Sequence, residues 1–245
     1  MQVQTRQGPA YGVARLTLAP NEPVKVEAGA MMAMSGGVTL QAKAEGGIMK
    51  SLKRAALGGE SFFVSTYTAP AQGGFVDVAA RLPGDITTYD VTPGKALFIQ
   101  KGSWLANDAH VTIDAQWGGF KNMFGGEGGF IVRADGQGTV VFACYGALEC
   151  WTLEAGQGIT VDSGHMVAYE DTVSMGFRKA SGGGLIQSFK SGEGFVLDFT
   201  GPGRVWTQTR NPNELLGWIS STLGTGNSGS GSPLAGGLGG LLGRD

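Results

Sequence analysis

Three stretches of this chain follow one pattern: "VKVEAGAMMAM" (Val24 to Met34), "YDVTPGKALFI" (Tyr89 to Ile99) and "WTLEAGQGITV" (Trp151 to Val161). Each alternates apolar and polar residues, breaks at a glycine (Gly29, Gly94, Gly156) and resumes as an apolar run. Alternation with period two marks a half-buried strand, and the glycine marks a bend. A second motif repeats with it. In "LGGESFFVSTYTA", "FGGEGGFIVRADG" and "KSGEGFVLDFTG" a glycine precedes a glutamate (Glu60, Glu127, Glu193) and a β-prone run follows. The glutamates recur at near-equal spacing, and self-similarity at a fixed period constrains a fold more than any single motif does.

The repeats divide the chain near 10–80, 81–146 and 147–210. Each reads as strand, turn, strand, glycine bend, strand, a short polar-apolar segment, the Gly-Glu turn, then strand, turn, strand. "NEP" (Asn21 to Pro23), "PGD" (Pro83 to Asp85) and "ADGQG" (ending at Gly138) carry turn chemistry. Glycine is abundant, 44 of 245 residues against a usual share of roughly 7%, as many tight turns require. One unit has too few strands to bury both faces of a sheet. Three units around a pseudo-threefold axis would share a core and pair many of their edges. The expected fold is therefore all-β, a β-sandwich or closed β-assembly of three internal repeats, forming one domain over 1–219. Copy one is expected to lack the segment seen as "KGSWLAND" (Lys101 to Asp108) in copy two and "SGHMVAYE" (Ser163 to Glu170) in copy three.

Residues 220–245 form a Gly/Ser/Leu-rich tail, too poor in apolar residues to offset its own ordering entropy. Before it, Asn211 and Pro212 can open a short helix carrying Leu215, Leu216 and Trp218. Leu234, Leu238, Leu241 and Leu242 leave open either a flexible tail or one that docks in a groove.

Several chemistries find no support. "FKNMFGGEGGFIV" (Phe120 to Val132) looks like a phosphate cradle, but Lys121 precedes the glycines and a strand follows, so neither a P-loop nor a dinucleotide fingerprint is present. The two histidines, His110 and His165, fall at non-equivalent places and in no metal or triad motif. Cys144 and Cys150 match no zinc or redox spacing. Net charge is −2 and pI about 5.7, which gives no field that attracts nucleic acid. No enzyme activity, cofactor or metal is expected. "MQVQTRQGPAYGV" lacks the pattern of a secretory signal, and no apolar run nears the roughly 20 residues that span a bilayer. The expected location is the cytoplasm.

Two constellations remain. Glu60, Glu127 and Glu193 either converge on the pseudo-threefold axis, where they could hold a cation, or accept backbone hydrogen bonds each in its own turn. The segments before them carry Ile48, Met49, Leu52, Lys53 and Arg54, then Phe120, Lys121, Met123 and Phe124, then Leu185, Ile186 and Phe189. Such apolar-basic tips suit a membrane surface or a partner's groove, or else cap the core or an oligomer contact.

Over roughly residues 2–210 the chain resembles the AIM (altered inheritance of mitochondria) family of bacterial and mitochondrial proteins. "EAGAMMAMS" (Glu27 to Ser35) and "GGESFF" (Gly58 to Phe63) carry the resemblance. It implies a β-sandwich of the tryptophan RNA-binding attenuation protein-like type arranged as a pseudo-trimer. It implies no enzymatic activity and supplies no catalytic residue, and a shared fold name does not transfer RNA binding. The expected function is a non-enzymatic, self-associating β-scaffold or interaction protein, with a homo-oligomer, a protein partner or, peripherally, a membrane surface as its contacts. The alternative is a small-ligand or carbohydrate-binding module in a groove between repeats, near Trp104 and Met166.

Overall fold

The computed structural model describes residues 1–41, 64–116, 131–179 and 195–224. After β1 (Gln2–Arg6), three sets of six strands follow in order. The first set is β2 (Val13–Leu18), β3 (Pro23–Glu27), β4 (Met31–Met34), β5 (Thr39–Gln41), β6 (Val64–Thr68) and β7 (Gly74–Ala79). The second is β8 (Ile86–Val91), β9 (Leu97–Gln100), β10 (Trp104–Asp108), β11 (Val111–Gln116), β12 (Ile131–Gly136) and β13 (Gly138–Ala143). The third is β14 (Leu148–Leu153), β15 (Gly158–Asp162), β16 (Met166–Glu170), β17 (Ser174–Lys179), β18 (Phe195–Thr200) and β19 (Gly203–Gln208).

Pairing repeats as strictly as the order. In every set the first and third strands flank the sixth, and the second and fourth flank the fifth, all antiparallel. Each repeat thus makes two three-stranded half-sheets. Half-sheets of successive repeats then join edge to edge, β3 with β10 and β9 with β16. Two six-stranded sheets result, β5-β6-β3-β10-β13-β8 and β11-β12-β9-β16-β19-β14. The two half-sheets left over stay separate, as β1-β2-β7-β4 and β15-β18-β17.

Alternation explains which side chains go inside. In "VARLTL" of β2, Ala14, Leu16 and Leu18 enter the core while Arg15 and Thr17 point away. Three hydrophobic clusters form, one per repeat, and each of the first two borrows residues from the next repeat. The first takes in Leu105, Ala106, Val141 and Ala143, and the second Val167, Ala168 and Trp206. The third is built mainly from its own strands, with Phe98 and Ile131 from the repeat before it. The expectation of one shared core is corrected here. A six-stranded sheet has two faces, and each face serves a different sandwich.

Three further expectations change. Copy one does not lack a segment, because β4 pairs with β7 through an irregularity between Met31 and Ala33, as β10 does between Trp104 and Ala106 and β16 between Met166 and Ala168. Gly29 is not the counterpart of Gly94 and Gly156. It lies between the second and third strands of its repeat, where Gly102 lies in copy two, whereas Gly94 and Gly156 lie between the first and second. Asn21, at φ 58°, takes that place in copy one beside Gly94 at 78° and Gly156 at 81°. Asparagine tolerates the left-handed region better than most residues. The short strands β5, β11 and β17 also make six strands per repeat instead of five.

The linkers that enter each repeat lie against one another. Gly12 N–H donates to Gly84 O (2.8 Å), Asp85 N–H to Gly146 O (3.0 Å), and Thr209 N–H to Ala147 O (3.1 Å). Gly84 is required there by contact. A Cβ on it would sit 1.9 Å from the Cys144 carbonyl oxygen.

A second unit begins at Pro212, and the tail beyond residue 224 lies outside the described residues. Its described part holds one helix, α1 (Pro212–Thr222), with Pro212 in the first turn, where its missing N–H costs nothing, and Glu214 beside the positive end of the helix. None of its residues is buried.

Candidate functional site: repeat junctions and two open edges

Every apolar-basic tip residue, from Ile48, Met49, Leu52, Lys53 and Arg54 through Phe120, Lys121, Met123 and Phe124 to Leu185, Ile186 and Phe189, lies outside the described residues. So do Glu60, Glu127 and Glu193. All fall between the fourth and fifth strands of their repeats. Trp104 and Met166, named for a ligand groove, are fully buried. They fill the interior and cannot line an open groove between repeats.

What the described residues do assemble is a set of fasteners. At the end of each third strand a side chain accepts the backbone N–H of the second residue of the sixth strand. Ser35 Oγ takes Phe75 N–H (2.9 Å), Asp108 Oδ2 takes Thr139 N–H (2.6 Å), and Glu170 Oε2 takes Arg204 N–H (2.9 Å). The residue just before each donor is a glycine (Gly74, Gly138, Gly203), and a Cβ on Gly138 would come within 2.7 Å of Asp108. Sequence reasoning missed this latch because Ser, Asp and Glu look unlike one another. The signal available was the glycine opening each sixth strand.

In copy three the latch is elaborated across the junction with copy two. Glu170 Oε1 also accepts from Arg204 Nε (2.8 Å) and from the Tyr89 hydroxyl (3.1 Å). The Arg204 guanidinium lies 5.2 Å from the Tyr89 ring and 5.1 Å from the Trp206 ring. Trp206 meets Tyr89 and Phe142 edge-on, each at 5.7 Å. Edge-to-face pairs and a cation over aromatic rings are both attractive geometries. Burial, then the neighbouring Glu170, pushes the Tyr89 phenol up, so it remains a hydrogen-bond donor at neutral pH. This constellation fastens two repeats together.

On copy one the sixth strand carries Asp77, 2% exposed, where copies two and three have Val141 and Trp206. Two arginines neutralise it. Arg15 Nε donates to Oδ1 (2.9 Å) and Arg6 Nη2 to Oδ2 (2.6 Å), while Arg15 also lies 3.9 Å over the Phe75 ring. The Arg15 hydrogen bond leads in holding the Asp77 carboxyl below its usual range, against burial, with Arg6 adding to it.

Burial pushes the Cys144 thiol up to about 11 and raises Cys150 as well, which keeps the reactive thiolate scarce at neutral pH. His165 Nδ1 lies 2.7 Å from Gln208 O, tied to the backbone, and His110 sits in the turn between β10 and β11. Among the described residues no three His, Cys, Asp or Glu side chains are grouped to hold a metal ion.

The comparisons with known proteins fit this architecture. The family model described as mitochondrial biogenesis AIM24 matches residues 3–210. The chain belongs to that family. An uncharacterized protein of Streptococcus pyogenes serotype M6 is 28% identical over 224 residues, 88% of each chain. A crystal structure of a Streptococcus pyogenes protein from a structural genomics consortium superposes with a TM-score of 0.75 at 24% identity, covering 90% of this chain and 99% of that one. That likeness shows the fold. No described helix is long and apolar enough to cross a membrane.

Against these filled junctions stand two sheet edges left unjoined although their counterparts in other repeats pair. β4 ends one sheet and β15 ends another, and neither has a partner on its outer side among the described strands. Their counterparts are all joined, since β10 and β16 match β4 while β3 and β9 match β15. The exposures differ accordingly. Leu105 is 1% and Val167 0% exposed, whereas the equivalent Met32 is 53% exposed. Asn107 and Tyr169 are buried, whereas the equivalent Met34 is 40% exposed. Val24, Val26, Leu97 and Ile99 are buried, while Ile159 and Val161 are only partly so.

Proposed function

We propose that this AIM24 family member is a non-enzymatic, self-associating β-scaffold that works through protein contacts. The observation that carries this reading is the exposure of Met32, Ala33 and Met34 at positions whose counterparts in the other repeats are buried. A sheet edge with apolar side chains is a template for another chain, and contiguous exposed apolar surface marks contact sites. The raised thiols and the use of Glu170, Arg204 and Asp77 as fasteners support a structural role. Cys144 and Cys150, both free, suit a reducing compartment such as the cytoplasm.

Light scattering of the purified full-length chain between micromolar and hundred-micromolar concentration tests it. The expected result is a mass several times 25.3 kDa. A mass that stays at one chain throughout that range would overturn the proposal.

A further inference from the structure

We infer that β4 of one copy pairs antiparallel with β15 of a second copy, recreating between molecules the junction that already joins the repeats within one. The inference rests on the self-association reading and names its surfaces and register.

The two internal junctions share one register. Ala106 faces Val26, Asn107 faces Lys25 and Asp108 faces Val24. Ala168 faces Ile99, Tyr169 faces Phe98 and Glu170 faces Leu97. Within the repeats, Ala33 pairs with Asp77 as Ala106 does with Val141 and Ala168 with Trp206. Ile159 pairs with Phe199 as Val24 does with Tyr67 and Leu97 with Ala134. The same register therefore sets Ala33 opposite Val161, Met34 opposite Thr160 and Ser35 opposite Ile159.

The side chains fit the places this register assigns them. Leu105 and Ala106 enter the first repeat's core, and Val167 and Ala168 enter the second's. Met32 and Ala33 would enter the third core of the neighbouring copy, the one cluster to which no following repeat contributes, where Val161 already packs. Met34 is exposed, and its counterpart Tyr169 stacks on Phe98 across an internal junction with ring centroids 5.0 Å apart. In the open copy, Phe98's counterpart is the exposed Thr160. Asp77 itself is compatible with this contact, because its carboxylate is already buried within the sheet and ion-paired. Asp77 arrives with both of its arginine partners in place.

A contact between two different edges is heterologous. It closes into a ring if the rotation between copies allows, and otherwise continues as a filament. An isologous dimer through β4 alone would leave β15 open and is not what the register describes.

The test mixes two full-length chains, Met34→Cys and Thr160→Cys, each also carrying Cys150→Ser to remove the exposed native thiol and keeping the buried Cys144. Directly opposed side chains place their Cβ atoms roughly 4.5–5.5 Å apart, close enough for disulfide formation with small adjustment. Mild oxidation of the mixture should give a covalent dimer. Either chain alone should give little, and Ala33→Glu added to the Met34→Cys chain should remove it. Light scattering on the same samples separates the possible failures. Oligomers without the mixed disulfide would overturn the register while leaving self-association standing. A fast-migrating disulfide within single molecules of a Met34→Cys/Thr160→Cys chain would overturn it in favour of closure inside one molecule. Monomers throughout would remove both readings.

Discussion

Val24 and Ile159 hold the same place in their repeats, and so do Leu105 and Met32, yet the first of each pair is buried and the second is not. The residue types hardly differ. What differs is whether another repeat follows. Along the interior of the chain each half-sheet finds a neighbour, and the junction becomes core. At the two ends the same surface remains open. Repeat proteins derive stability from repeats and from the contacts between them, and their ends need either caps or partners. Here one end is only partly capped, by β1 and by the Asp77 group, and the β4 edge beyond them is uncovered.

The comparison can be strained most by cutting the interior. Trp104→Ala empties a fully buried site beside a junction and should cost about 3–5 kcal/mol, read as a shift of the urea midpoint. Met32→Ala at the open edge should change the stability of the monomeric chain by less than about 0.5 kcal/mol. Equal losses would mean that the ends are covered after all. Gly84→Ala comes next. Its Cβ meets a backbone oxygen that cannot swing away, so a cost at the top of the roughly 1–3 kcal/mol range for overpacking is expected. Gly176→Ala, with nothing within 4 Å, should be close to neutral by the same melt.

Asp77→Asn sharpens the contrast at the capped end. It leaves two arginines around a neutral, buried amide and should cost about 1–3 kcal/mol at neutral pH. The pH dependence has a definite sign. Because the folded carboxyl is held below the ordinary aspartate value of 3.8, its contribution is complete above that value and is lost as pH falls through the lowered one. Stability of the variant measured from pH 6 to pH 2 should therefore fall less steeply than that of the parent, and parallel curves would contradict the assignment. Ala33→Glu, at an exposed site, should likewise change folding by no more than about 0.5 kcal/mol. That variant should nevertheless lose self-association by light scattering.

Much of the fold could be read from the residues. Alternation in "VARLTL", the recurring glycine turns and the near-equal spacing of the repeats point to an all-β sandwich in three copies, and the structure has that. The alignment of copy one slipped by one strand because "VEAGAM" resembles "LEAGQG" locally, while Asn21 does the work that Gly94 and Gly156 do elsewhere. A conformational requirement met by different residue types leaves no common letter to align. The latch of Ser35, Asp108 and Glu170 was hidden for the same reason. The segments holding Trp104 and Met166 read as extra, with a groove near them, because copy one shows no obvious match for them. Once β4 is recognised, these two become core residues of an ordinary third strand. The open edges were not legible at all, since a strand is an edge only by virtue of what fails to lie beside it.

Hydrogen exchange followed by mass spectrometry at low and high protein concentration tests the pairing of the open edges most directly. If β4 and β15 meet between copies, amides within Met31–Met34 and Gly158–Asp162 should exchange more slowly as concentration rises, while those of β3 and β9 stay unchanged. Exchange at β4 and β15 that is fast and independent of concentration, in samples shown to be associated, would contradict the account.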